Sequence, residues 1–102
     1  GYLWLRGGVW GDERIVPAEY VKAALTPSTN GPDYGFLWWL DTKGRNWPGL
    51  PADAFGARGA GSNSVFVSPA HDLVIVWRWH SGARQADATF FRMVVEAIAA
   101  GK

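Results

Sequence analysis

The chain is 102 residues long, with ten basic and nine acidic side chains, 48% apolar residues and 19% charged ones. That length supports one hydrophobic core and excludes two domains with a cleft between them, and the apolar share excludes a disordered chain. A net charge of +1 with no basic run argues against a nucleic-acid partner, no stretch approaches the ~20 consecutive apolar residues of a membrane span, and the lack of cysteine removes disulfide and thiolate chemistry.

The apolar opening Gly1-Tyr2-Leu3-Trp4-Leu5 has no polar lead-in and reads as the end of an element that starts upstream. Tyr2 to Arg6 is expected to be helical and to stop at Gly7-Gly8, where a left-handed cap is accessible. Gly11-Asp12-Glu13-Arg14-Ile15 is a tight turn into a short extended piece. Pro17 suits a first helical position, and a helix follows to about Leu25, with Tyr20, Val21, Ala24 and Leu25 on one side. Thr26-Pro27 ends it, because a residue before proline avoids the helical region. After a polar loop, Tyr34 to Thr42 is rich in aromatic and branched residues and reads as a strand. Trp38 and Trp39 then fall on opposite faces, so the strand needs cover on both. Lys43 to Asp53 is a connection. Phe55 to Ser68 is a second strand region broken by Gly56, Gly59 and Gly61, and Ser68 to Asp72 turns into a third strand, Leu73 to Trp79, closing a hairpin. Asp87 is a candidate helix cap. The apolar stripe Phe91, Val94, Val95, Ile98 then predicts a helix over Asp87 to Ala100. The fold class expected is α+β, with residues 1–33 as a helical and loop lead-in and 34–102 as antiparallel strands covered by the C-terminal helix. A single amphipathic helix cannot cover both faces of such a sheet, so exposed apolar surface and self-association are expected.

Several clusters invite a chemical reading. Gly56-Ala57-Arg58-Gly59-Ala60-Gly61-Ser62 lacks the spacing of a phosphate loop and leads into a strand, so close approach of a ligand or backbone is the better reading. His71-Asp72 lies in a turn where aspartate bonds backbone N–H groups. With His80 the only other histidine and no third ligand at a recognisable spacing, neither a metal nor a cofactor is expected. Ser62, Ser64, Ser68 and Ser81 show neither Gly-x-Ser-x-Gly nor a lysine three positions on, so no activated serine is visible. Trp38, Trp39, Trp47, Trp77 and Trp79 are read first as packing and second as a platform for a flat or carbohydrate ligand. Arg58 and Arg78 are read as solvated or salt-bridged, with an anionic substrate as the other possibility.

Taken in order, the pieces resemble the C-terminal third of the serine β-lactamase and penicillin-binding-protein family, which includes class C β-lactamases, carboxypeptidases and related esterases. The resemblance rests on Gly1 to Pro17 as the family's helix, glycine pair and entry to the next helix. It rests also on Tyr34-Gly35-Phe36-Leu37-Trp38-Trp39 as its Tyr-Gly-x-Gly-Trp-Trp strand, with Leu37 in place of the second glycine. The third piece is Phe55 to Leu73 as its substrate-side hairpin. The resemblance implies acyl transfer to water through a serine ester, acting on a small ester, amide or β-lactam-like substrate. The family's Ser-x-x-Lys and Tyr-x-Asn have no counterpart in these residues, so the segment alone is expected to be inactive and to need the missing N-terminal part of the same protein. The family's Lys-Thr-Gly or His-x-Gly triplet maps onto Ala57-Arg58-Gly59. Ala57 and Arg58 become substrate-binding candidates, Gly59 the residue that lets substrate lie against the strand, and the Ala60 backbone N–H one oxyanion donor. Ala57 stands where the family carries the cation that meets a β-lactam carboxylate, which leaves ester or amide hydrolysis as the open reading. The rival class is a non-catalytic binding module, or a pseudo-enzyme, that uses its tryptophans.

Overall fold

The computed structural model describes residues 1–79 and 84–101 of the chain. Its elements are α1 (Tyr2–Leu5), β1 (Val9–Trp10), β2 (Glu13–Arg14), α2 (Ala18–Ala24), β3 (Trp39–Leu40), β4 (Phe55–Gly59), β5 (Asn63–Ser68), β6 (Leu73–Trp77) and α3 (Arg84–Ala100), with a 3-10 turn over Pro69–His71. β1 and β2 pair as a small hairpin, and the other four strands form one antiparallel sheet in the order β3-β4-β5-β6. The fold is α+β with antiparallel sheets and a C-terminal helix.

Alternation along the strands sorts side chains into two layers. On one face Phe66 and Ile75 stand opposite each other and meet Phe91, Ala88 and Val95 of α3 together with Trp47, Leu50 and Ala54 from the long connection. Phe66 stacks on Phe91 at 4.6 Å and meets the edge of Trp47 at 5.3 Å. On the other face Leu40, Phe55 and Val67 are covered by Trp4, Leu5, Leu25 and Trp38. Trp39 joins the first cluster and Trp38 the second, the opposite orientation that their adjacency dictates. Among the described residues no helix is long and apolar enough to cross a membrane.

Five expectations need correction. Residues 34–42 are not one strand: only Trp39–Leu40 pair with β4, while Gly35 N–H bonds Trp38 C=O and Phe36 N–H bonds Ala24 C=O, closing a tight loop whose tip, Leu37, has φ +65°. Residues 55–68 are two antiparallel strands rather than one, because the chain reverses through Gly61 and Ser62, both at positive φ. The C-terminal helix begins at Arg84, which puts Asp87 in its first turn, where the carboxylate meets Arg58, instead of at the cap. The second layer is not missing: the lead-in helices supply it over Leu40, Phe55 and Val67. The strand expected to reach residue 79 stops at Trp77, since Trp79 takes φ +56° and gives its N–H to Asn63 Oδ1 at 3.0 Å.

Candidate functional site

The edge of β4 decides what this sheet presents to a ligand. Leu40 N–H donates to Asp33 C=O at 2.8 Å and Trp38 C=O accepts from Gly35 N–H at 2.9 Å, so those groups face away from β4 and the Trp39 amide faces it. Trp39 pairs with Gly56, and β3 reaches no further than Gly56 and Phe55. Pairing groups alternate sides along an antiparallel strand. Ala57 therefore turns its backbone to β5, and Arg58 turns its own to the side that β3 has vacated, where no backbone partner stands among the described residues. β4 is a paired strand at its start and an open edge at its end.

Beside that edge lies a shallow depression of about 380 Å³, bordered by Ala57, Arg58, Gly59, Val65, Val76 and Arg78. Its floor is apolar, because Ala57, Val65 and Val76 are cross-strand neighbours on the face away from α3. Gly59 and Ala60 are exposed at its rim. The two glycines of β4 differ in what they allow. A Cβ on Gly56 would lie 2.6 Å from Val65 C=O and 2.8 Å from the Trp47 ring, so the fold requires glycine there. A Cβ on Gly59 would meet nothing nearer than Asn63 Cβ at 3.9 Å, so the fold makes no such demand. Ala60 uses its C=O to accept from Asn63 Nδ2 at 2.7 Å, and its N–H has no acceptor among the described residues.

The four residues singled out by sequence are contiguous along β4 and its turn, yet their side chains do not converge. Ala57 points to the open face, while Arg58 points to the α3 face and is held there. Its Nε donates to Asp87 Oδ2 at 3.2 Å, its Nη1 to Asn46 Oδ1 at 3.1 Å, and its guanidinium lies 4.7 Å from the centre of the Trp47 ring. The pair is nearly dry, with side-chain exposures of 15% for Arg58 and 3% for Asp87. Arg58 thus ties α3 to the sheet and to the long connection, the salt-bridged reading of that arginine. Arg78, exposed at the far rim, has no ion-pair or hydrogen-bond partner among the described residues.

Next to this network Asp41 is fully buried and accepts through Oδ1 from the backbone N–H groups of Asn46 at 2.8 Å and Trp47 at 3.0 Å. Burial pushes its carboxyl above the usual range, those two N–H groups oppose the rise, Asp33 adds to it and Arg58 lowers it. Sequence reading missed Asp41. The signal available was an aspartate five residues before an asparagine in a turn-rich stretch, which does not reveal burial.

Among the described residues no exposed serine is hydrogen-bonded to a base. Ser64 and Ser68 are buried, and Ser62 lies in the turn at positive φ. Ser68 Oγ does meet His71 Nδ1 at 3.0 Å, a hydroxyl–imidazole contact of the kind nucleophilic catalysis uses, but a fully buried Oγ in a tight turn gives a substrate no approach. Asp72 pairs with Arg6 at 2.7 Å, and no group of metal-ligating side chains gathers among the described residues. His80 and Ser81 lie outside the described residues. Trp38 packs on Phe55 and Trp4, Trp77 on Phe90, and Trp47 on Phe66, so those rings serve the layers rather than a platform; Trp79 is exposed. Comparison with protein-family models and with curated proteins finds no match to this chain.

Proposed function

We propose that the chain is the C-terminal part of a serine hydrolase of the β-lactamase-like kind, in which the open edge of β4 forms one wall of the substrate cleft. The observation that carries this reading is Gly59, a glycine the fold does not require, on an unpaired strand edge beside an apolar depression. Glycine at such a place lets a ligand lie against the backbone. In this reading Gly59 admits the acyl group, Ala60 offers its N–H to the oxyanion, and Ala57 with Val65 and Val76 forms an apolar floor suited to an uncharged ester or amide. The nucleophile comes from elsewhere in the full-length protein. Arg58 acts on the site only by fixing the strand, since its guanidinium is committed to Asp87 and Asn46.

The test uses Gly59→Val in the full-length protein with a chromogenic ester. Valine favours strands and its Cβ would meet nothing nearer than Asn63 Cβ at 3.9 Å, so the melting temperature should hold. Turnover should fall by roughly 10²-fold, the scale of losing one oxyanion donor. Unchanged turnover removes β4 from the cleft. A full-length protein that binds ligand through this face without any turnover favours the binding-module reading instead.

A further inference from the structure

We infer that the Asn63 side chain is a positioning residue, holding the hairpin turn so that the Ala60 N–H stays aimed into the cleft. The inference rests on the hydrolase reading of the β4 edge. Gly59 and Asn63 are the last paired residues of β4 and β5, and the chain reverses between them through Ala60-Gly61-Ser62. Ala57 turns its backbone to β5, so Gly59, two residues on, does the same and exchanges main-chain hydrogen bonds with Asn63. The peptide that joins Gly59 to Ala60 is planar and trans. With its C=O on Asn63, its N–H, which is that of Ala60, points the opposite way, to the side that β3 has vacated.

The next peptide is held by the Asn63 side chain. Asn63 Nδ2 donates to Ala60 C=O at 2.7 Å, so the main chain and side chain of one residue fix the two peptide planes that flank the Ala60 Cα. Asn63 Oδ1 accepts from Trp79 N–H at 3.0 Å, which ties the turn to the segment following β6. Trp79 completes the brace. It takes φ +56°, an outlier for so bulky a residue, and its ring lies on the turn: a Cβ on Gly61 would be 2.6 Å from Trp79 Cε3. Glycine is thus required at 61 twice, by that ring and by φ +85°. Ser62 is left-handed as well, at φ +60°. Backbone strain of this kind persists where the surroundings over-determine it, and it gathers at functional sites. Here Ser62 precedes Asn63 in the chain and Trp79 is bonded to its side chain.

An oxyanion donor works by being aimed before the charge appears. A displacement of about 1 Å at a reacting group can cost ~10²-fold in rate, so a short turn with Gly61 and Ser62 both left-handed needs more than its closing pair to serve that purpose. Asn63 supplies the tie. It borders the depression, but each end of its amide already has a partner, Ala60 at one and Trp79 at the other. It therefore acts through Ala60 and not on the substrate.

Steady-state kinetics of the full-length protein on a chromogenic ester tests this, with circular dichroism showing that each variant is folded under assay conditions. Asn63→Ala should lower kcat by between about tenfold and a hundredfold, up to the scale of losing the donor outright. KM should stay within about twofold of the parent, because the donor is used chiefly in the transition state. Trp79→Gly accepts the left-handed backbone, keeps the N–H that Asn63 binds and removes the ring from the turn. It should also lower kcat with KM held, and because that ring is 69% exposed it decides the matter should Asn63→Ala not fold. A folded Asn63→Ala protein with the parent's kcat, or one changed in KM alone, overturns this inference and leaves the hydrolase reading standing. A parent that turns over no ester removes both.

Discussion

Replacing Arg58 with methionine removes the cation that links three parts of the fold, and with it the guanidinium that lies over the Trp47 ring, while keeping an unbranched side chain in its place. The change strands the Asp87 carboxylate, only 3% exposed, and leaves Asn46 Oδ1 without its donor. Breaking a buried pair by deleting one partner costs about 3–5 kcal/mol, because the remaining charge stays desolvated. For a domain of this size each kcal/mol lowers the melting temperature by about 4–8 °C, so a fall of order 20 °C is expected. Removing both charges, in Arg58→Met with Asp87→Leu, should recover most of that loss, since a packed apolar pair does not carry the desolvation penalty. The helix would forgo only the modest benefit of a carboxylate in its first turn, about 0.3–1 kcal/mol. Urea unfolding followed by tryptophan fluorescence and by circular dichroism measures both variants, with Trp47 reporting on the site itself. A loss under about 1 kcal/mol for the single variant, the range of a surface pair, would refute the reasoning, as would a double variant no better than the single one. Arg58 would then be free to serve a ligand, and its removal should act on KM rather than on stability.

Gly56→Ala should destabilise the fold by about 1–3 kcal/mol, the range for overpacking, because Val65 C=O is backbone and cannot move aside; equal urea midpoints for variant and parent contradict that. Asp41 gives a pH signature whose sign is fixed by the direction of its shift. Its folded-state carboxyl binds a proton more readily than in the unfolded chain, so its contribution to stability is fully present below the unfolded value and is lost as pH rises through the folded one. Asp41→Asn should remove that part of the pH dependence, and an unchanged stability–pH profile between parent and variant counts against burial as the cause.

Sequence alone determined the punctuation and the layers. Thr26-Pro27 ends α2, Ser68 to Asp72 turns between two strands, Trp38 and Trp39 face opposite ways, and the stripe through Phe91 and Val95 lies on the sheet, because dihedral limits and side-chain periodicity act within a few residues. Other features depended on what happens between distant segments. An aromatic run with high strand propensity became a loop at 34–38 because the end of α2 takes the Phe36 N–H, and propensity yields to such tertiary partners. The break at Gly61 and Ser62 separated β4 from β5, which set Arg58 and Ala57 on opposite faces and left an edge that no pattern of residue types reveals. That Gly56 is required by a neighbouring ring while Gly59 is not, and that Asp41 is buried, could be decided only by tertiary packing, because the atoms that make the difference come from elsewhere in the chain.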